Sequence, residues 1–122
     1  LGGEMQIDER GTFGFVTEQQ CLRFAYDLAI LSTDALCENR GFHNLNAAEA
    51  NLAAVVAKCA GSVLVVLDHT KFEQTAPHCG LETWDVDVIV TDQTPGQNLT
   101  NAIQAWGIDL HLALGEGQNA QA

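Results

Sequence analysis

The fold is decided by the apolar run Ser62–Leu67 (Ser-Val-Leu-Val-Val-Leu) and by the polar stretch that follows it, Asp68-His69-Thr70-Lys71-Phe72. An apolar run of this length between polar residues predicts a strand buried on both faces, as in a parallel sheet. Ligands of open α/β sheets bind at the carboxyl ends of such strands. This end carries an acid and a lysine three residues apart, which favours an anionic, hydroxylated small molecule as ligand. The simpler interpretation is that Asp68 turns the chain and Lys71 is solvated.

The rest of the chain alternates between strand-like and helix-like segments. Strands are predicted over Tyr26–Leu31, Ser62–Leu67, Val86–Val90 and Ile108–Leu114. Helices are predicted after capping patterns at Thr17 and Asn46 and around Leu99 to Trp106, and Gly61 and Gly107 are expected to end the second and third of them. This alternation predicts an α/β fold: a mostly parallel, Rossmann-like sheet with right-handed crossovers and flanking helices on both faces.

Length and composition indicate one domain. We expect residues 1–114 to form it and residues 115–122 to be a flexible tail. The apolar fraction of 47% is sufficient for a packed core. The chain opens on Leu-Gly-Gly without a methionine and the predicted sheet is small, so we expect a domain truncated at its amino-terminal side. No signal sequence and no apolar run of about 18 residues is present, which predicts a cytoplasmic protein with no membrane partner.

The charge balance argues against nucleic-acid binding by this chain. Its net charge is −11, with only five lysines and arginines, whereas duplex DNA binding requires several basic residues against the phosphates. The four cysteines show no C-x-x-C spacing, which favours reduced, buried thiols over disulfides or a zinc site. No metal and no cofactor is therefore expected.

Acidic residues end three successive predicted strands, at Asp34, Asp68 and Asp92. The loop after the first of these strands carries Arg40, Gly41, Phe42 and His43 just before the Asn46 helix cap. A glycine followed by a helix amino terminus can present backbone N–H groups to an oxyanion. Arg40 and Lys71 would place positive charge on the same rim, and His43 would supply a polar contact. The candidate ligand-binding residues are therefore Asp34, Arg40, Gly41, Phe42, His43 and Lys71.

Other side chains near this edge of the predicted sheet are expected to have structural roles and not to contact a ligand. His69 is expected to point to the other side of the turn that contains Lys71. Phe72, Trp84 and Trp106 are expected to fill the core rather than to stack on a ligand.

Two other kinds of site are compatible with the same residues. An isomerase would use Asp34 or Glu38 as a base and a lysine to stabilise an enediolate, but the chain lacks a close acid–lysine pair in a glycine-rich loop. A phosphoryl-transfer domain would use Asp34, Asp68 and Asp92 to hold Mg²⁺. In such domains the metal-binding acids usually form a close pair at one strand end, and this chain has no such pair. We therefore expect no catalytic residues.

Several motifs resemble the carboxyl-terminal effector-sensing domain of the DeoR-type bacterial repressors of sugar metabolism. The stretch Leu67–Phe72 is similar to that family's Asp-Ser-Ser-Lys-Phe signature, and Val86–Asp92 resembles its Ile-Asp-x-x-Ile-Thr-Asp segment. Further likenesses follow in the family's order: Gly2-Gly3, Tyr26-Asp27, Arg40-Gly41-Phe42, Ala48-Glu49-Ala50 and Ala105-Trp106-Gly107-Ile108. The segment Leu31–Cys37 departs from the family's more glycine-rich pattern.

The resemblance implies a sensor fold related to ribose-phosphate isomerase and CoA-transferase domains, without enzymatic activity. It implies binding of a phosphorylated sugar or a related metabolite, with Gly41, its neighbours and Lys71 as effector contacts and Asp34 nearby. DNA would be bound only through a helix-turn-helix domain that this chain lacks. A truncated sheet also exposes an edge strand and apolar surface, so a homo-oligomer is expected.

Overall fold

A computed structural model describes residues 4–5, 12–13 and 26–113. The helix predicted from Thr17 and the tail predicted over 115–122 lie outside these residues. None of the described helices has the length and apolar character needed to cross a membrane.

The described residues form a four-stranded parallel sheet, two helices and two short antiparallel pairs. The sheet consists of β3 (Tyr26–Ser32), β6 (Ala60–Val66), β7 (Val88–Thr91) and β8 (Asp109–Leu112), in that order. The antiparallel pairs are β1 (Glu4–Met5) with β2 (Thr12–Phe13) and β4 (Ala35–Cys37) with β5 (Gly41–His43). Helix α1 spans Ala47–Cys59 and helix α2 spans Gln97–Ala105. The predicted α/β fold with a parallel sheet is confirmed.

The helix boundaries follow from local capping. Asn46 caps α1, because its side-chain oxygen accepts a hydrogen bond from the Glu49 backbone N–H at 3.1 Å. Gly61 does not end this helix as predicted: α1 ends at Cys59, and Gly61 is already inside β6. Gly107 follows α2 with φ +78°, the left-handed conformation that glycine adopts without strain.

The register of the sheet brings the carboxyl ends of its strands to one level. Ser32 at the end of β3 pairs with Val66 of β6, and Val66 pairs with Val90 of β7. Thr91 of β7 pairs in turn with Leu112 of β8. The chain segments that leave these strands therefore start side by side at one edge of the molecule.

One face of the sheet carries the core. Val63, Val65 and Ile89 are at most 2% exposed. They form a single cluster with residues from both helices, namely Ala53, Leu99 and Ile103. Strand order follows chain order, and right-handed connections in such a sheet all fall on the same side. The two described helices therefore pack on one face of the sheet. The expectation of helices on both faces stays a prediction, because the helix predicted from Thr17 lies outside the described residues.

The opposite face of the sheet is apolar but exposed. Leu28, Ile30 and Val66 keep 51%, 65% and 44% of their surface accessible. The prediction that Ser62–Leu67 is buried on both faces is therefore wrong in the described part of the chain. Burial alternates along β6 instead, with Val63 and Val65 inside and Val66 outside.

The aromatic residues do not all fill the core. Trp106 is half-buried and packs against the buried Phe42, with ring centroids 6.4 Å apart. Phe72 is partly buried against the same core cluster. Trp84 is 77% exposed, which corrects its predicted core role, because it sits in the single turn Thr83–Asp85 that runs over the surface.

Gly80 allows α1 to pack closely against the segment before β7. A Cβ at Gly80 would lie 2.3 Å from the Ala50 carbonyl oxygen, a backbone atom of α1. We expect Gly80→Ala to lower the free energy of unfolding by about 1–3 kcal/mol, because the helix must move to relieve the overlap. Thermal denaturation followed by circular dichroism measures this. The matched control is Gly96→Ala, since a Cβ at Gly96 meets no atom within 4 Å; equal losses in the two variants would refute the explanation.

Candidate functional site

A cavity of about 440 Å³ opens at the carboxyl ends of β3, β6, β7 and β8. Small-molecule sites usually fall between about 300 and 1,000 Å³. Its lining comes from the last residues of β3, β6 and β7 and from the segments that follow the four strands: Ser32, Thr33, Asp34, Val66, Leu67, Asp68, Lys71, Val90, Thr91, Asp92 and Ala113. This is the edge of an α/β sheet at which ligands commonly bind.

Asp34 is fixed at the corner between β3 and β4. Its Oδ2 accepts a hydrogen bond from the Leu45 backbone N–H at 2.8 Å, and its own N–H donates to the His43 carbonyl at 3.1 Å. The buried Thr33 hydroxyl donates to the same carbonyl at 3.0 Å. Asp34 is thereby held at the cavity wall by the β4–β5 hairpin.

Lys71 reaches the cavity from a single 3-10 turn, His69–Lys71, that follows β6. Asp68 caps this turn by accepting hydrogen bonds from the backbone N–H and the hydroxyl of Thr70. These two bonds lower the pKa of Asp68 below its ordinary value. The backbone N–H of Lys71 donates to the Asp68 carbonyl at 3.1 Å. The turn therefore holds the lysine next to the end of β6.

Asp92, which follows β7, is tied to the same turn. Its Oδ1 accepts the His69 backbone N–H at 2.7 Å, and its Oδ2 accepts His69 Nδ1 at 2.7 Å. A carboxylate can only accept, so Nδ1 carries the hydrogen. The hydrogen bond from the His69 ring is the main cause that lowers the pKa of Asp92. Both side chains are partly exposed, at 46% and 42%.

The charge of the lining is uneven. It contains three carboxylates, of Asp34, Asp68 and Asp92, and one ammonium, of Lys71. Within the described residues the only ion pair within 4.0 Å is His69–Asp92, so Lys71 has no such partner. Each of the three carboxylates instead accepts hydrogen bonds from neighbouring main-chain N–H groups.

Two of the six predicted ligand-binding residues, Asp34 and Lys71, line the cavity together. Arg40, Gly41, Phe42 and His43 do not belong to the lining. The predicted oxyanion loop is a β-hairpin: Gly41–His43 pairs with Ala35–Cys37 and is buried, while Arg40 is exposed at the turn. Gly41 has φ +72° and a Cβ there would lie 3.1 Å from Thr83 Cγ2, so turn geometry and packing explain this glycine.

The contact between His69 and Asp92 was not anticipated from the sequence, which placed the His69 ring on the far side of its turn. The two residues are 23 positions apart, and only the register between β6 and β7 brings them together. The available signal was that both lie in polar stretches that come shortly after apolar strands of one sheet.

The described residues contain no group of three or more His, Cys, Asp or Glu side chains placed to hold a metal ion. Cys37, Cys59 and Cys79 are unpaired thiols. Burial is the main cause that raises the pKa of Cys79.

The bond between Asp92 and His69 predicts a pH dependence of stability. The pKa of Asp92 is lower in the folded chain than its ordinary value of 3.8. Its contribution is therefore fully present above that value and is lost as the pH falls through the folded pKa. We expect the wild-type chain to be more stable than Asp92→Asn at pH 5, with the difference shrinking towards pH 3. Melting temperatures at each pH measure this, with Asp27→Asn as an exposed control; a pH-independent difference would contradict the assignment.

Comparison with known proteins shows the family of this chain. The family model described as the DeoR C-terminal sensor domain matches residues 1–93. The "Putative aga operon transcriptional repressor" of Escherichia coli O157:H7 is 25% identical over 111 residues, which are 91% of this chain and 41% of that protein. "Transcriptional repressor AccR" of Agrobacterium fabrum is 31% identical over 93 residues, which are 75% of this chain and 36% of that protein. The chain spans less than half the length of these relatives. It belongs to the DeoR C-terminal sensor domain family.

Proposed function

We propose that this chain is the effector-sensing part of a transcriptional repressor and that it binds a phosphorylated sugar or a related metabolite in the strand-end cavity. The observation that carries the proposal is that Lys71 and Asp34 line one cavity at the carboxyl ends of four parallel strands. The family supports the sensing role. The chemistry of the lining supports the class of ligand.

The lining suits a ligand that combines hydroxyl groups with a single anionic group. Carboxylates accept hydrogen bonds from hydroxyl groups, and Asp34 and Asp68 each have one carboxylate oxygen to which no described residue donates. The ammonium of Lys71 is the cationic group of the described lining and would pair with a phosphate or carboxylate. The three carboxylates would repel a second anionic group on the ligand, so the hydroxylated part should face Asp34 and Asp68.

A hexose or pentose phosphate should therefore stabilise the chain. Ligand at a hundredfold excess over Kd adds about 2.7 kcal/mol, which corresponds to a rise in Tm of about 10 °C for a domain of this size. We expect Lys71→Ala to weaken binding by about 10- to 100-fold, because a hydrogen bond to a charged group contributes about 1.5–3 kcal/mol. Thermal denaturation and isothermal titration calorimetry measure the two effects.

Two controls make this test specific. Lys58→Ala removes an exposed lysine in the last turn of α1, which is not part of the lining, and should leave affinity unchanged. The unphosphorylated sugar should bind equally to wild type and Lys71→Ala. If no sugar phosphate in a broad panel shifts the Tm, or if Lys58→Ala and Lys71→Ala weaken binding equally, the proposal fails.

The same proposal assigns DNA recognition to another part of the repressor. With a net charge of −11, this chain should not be retained on duplex DNA at physiological salt. We propose that a helix-turn-helix domain binds the operator, and that effector binding here alters repressor assembly or operator affinity. The chain then acts as a cytoplasmic sensor without catalytic activity. If the chain converted a sugar phosphate and Asp34→Asn abolished this turnover, the result would argue for an isomerase instead.

We further propose that the chain forms a homo-oligomer through the apolar sheet face and the β3 edge. No described strand pairs with the outer edge of β3. This strand has seven residues, a single charge and no proline, so it lacks the features that normally protect edges. The opposite edge, β8, is shorter and carries Asp109 and His111. Leu28, Ile30 and Val66 on the same side of the molecule would be covered by a second copy.

Light scattering after size exclusion tests this association. We expect the wild-type chain to form dimers or larger species at about 100 μM, since apolar patches of this kind mark interaction surfaces. Ile30→Glu should shift it to monomer, because the charge would be buried without a partner. Leu45→Glu, at another exposed apolar residue, should have no effect; a monomeric wild-type chain would contradict the proposal.

A further inference from the structure

The lining of the strand-end cavity carries more negative charge than a phosphorylated ligand requires. It contains the carboxylates of Asp34, Asp68 and Asp92 and the ammonium of Lys71. At neutral pH three negative charges against one positive charge leave the lining at −2, and the phosphate of a ligand adds to this excess. Lys71 can pair with the phosphate, but it cannot also offset the carboxylates. A ligand that brings a positive charge of its own removes this repulsion.

Two of the three carboxylates have an acceptor to spare. Asp34 uses Oδ2 for a backbone N–H at 2.8 Å, and Asp68 uses Oδ1 for both hydrogen bonds from Thr70. Oδ1 of Asp34 and Oδ2 of Asp68 accept no hydrogen bond from the described residues. Both oxygens of Asp92, in contrast, accept hydrogen bonds from His69. The unused acceptors among these carboxylates therefore belong to Asp34 and Asp68.

Asp68 stays charged at neutral pH and is not neutralised by Lys71. Hydrogen bonds from Thr70 are the main cause that lowers the pKa of Asp68 below its ordinary value of 3.8. The Lys71 ammonium lowers this pKa further, and the negative charge of Asp92 raises it. Asp68 thus senses both charges, yet Lys71 forms no ion pair within 4.0 Å among the described residues. The lysine therefore leaves the negative potential of the cavity uncancelled.

A metal ion does not fit this arrangement. A magnesium or calcium ion needs several oxygen ligands around one point, at about 2.0–2.6 Å. The described part of the chain contains no group of three or more His, Cys, Asp or Glu side chains placed in this way. The carboxylates are instead spread over the lining, where different parts of one organic molecule can contact them. The positive charge that suits them is an organic cation on the ligand.

We propose that the cavity binds an amino sugar phosphate, whose phosphate pairs with Lys71 and whose ammonium lies against Asp34 and Asp68. This inference rests on the proposed function and narrows its ligand from any phosphorylated sugar to one that carries both charges. An ammonium donates three N–H groups, and a charge-assisted hydrogen bond is about twice as strong as a neutral one. A hydroxyl on the same carbon donates one hydrogen and carries no charge. The amine therefore decides the preference.

Isothermal titration calorimetry on the wild-type chain tests this preference with matched probes. Glucosamine 6-phosphate, glucose 6-phosphate and N-acetylglucosamine 6-phosphate share the ring and the phosphate and differ only in the group on the second carbon. We expect the amine to bind about five- to thirtyfold more tightly than the other two, because a hydrogen bond to a charged group contributes more than a neutral one. The same set with the galactose ring covers a second arrangement of the hydroxyl groups.

Substitutions at the two carboxylates locate the effect. Asp34→Asn and Asp68→Asn remove the charge but keep a side-chain oxygen for the hydrogen bonds that these residues already accept. Each should reduce the preference for the amine by at least about threefold, because one charged acceptor is lost. Asp27→Asn removes an exposed carboxylate near the start of β3 that is not part of the lining, and should leave the preference unchanged.

Failure of this inference is distinguishable from failure of the proposed function. If glucose 6-phosphate binds and glucosamine 6-phosphate binds no more tightly, the inference is overturned and the proposed function stands. A loss of preference in Asp27→Asn equal to that in Asp34→Asn and Asp68→Asn would assign the effect to the overall charge of the chain, and would also overturn it. If no sugar phosphate binds, both fail. Should a variant not fold, the three probes on the wild-type chain still decide the inference.

Discussion

The parallel register between β3, β6 and β7 is the constraint on which the rest of the structure depends. Pairing of Ser32 with Val66 and of Val66 with Val90 sets three strand ends level, and these strands and the segments after them provide all of the cavity lining except Ala113. A shift of one residue in β6 would turn the buried Val63 and Val65 outwards. The buried face therefore fixes the register, and the register places Asp34, Lys71 and Asp92 at one site.

The site combines rigidity with an unpaired charge. Its three carboxylates accept hydrogen bonds from their own surroundings, which satisfies them partly before any ligand arrives. The lysine is held by a turn anchored at Asp68, Asp92 and Leu36. A preorganised cation beside partly satisfied acceptors would favour the hydroxylated anion that we propose as ligand, because little has to rearrange on binding.

Much of the fold was predictable because its signals are local. The apolar run before Asp68, the Asn46 cap and Gly107 each specify a strand or a helix end through residues within a few positions. The Gly61 prediction failed because α1 passes directly into β6, where tertiary pairing of Ala60 with Tyr26 overrides the usual glycine stop. The exposure of one apolar sheet face was not predicted, since an apolar run does not show which of its two faces packs against other elements.

The site was only partly predictable, because some of its contacts join residues that are far apart in the sequence. Asp34 and Lys71 lie in the segments that follow β3 and β6, so the strand pattern was sufficient to predict that they lie at one edge of the sheet. Arg40 to His43 were expected at the same edge of the sheet, but the antiparallel pairing of β4 with β5 places them outside the cavity lining. The His69–Asp92 contact depends on two strands being neighbours in space, which local patterns do not encode.

The central claim is that the strand ends form the ligand site. Backbone amide chemical shifts recorded during titration with a sugar phosphate test it most directly. We predict that the largest changes fall on residues 32–34, 68–71 and 91–92, which meet at the cavity. Changes concentrated in the β4–β5 hairpin or on the exposed face of β3, with residues 68–71 unaffected, would contradict it.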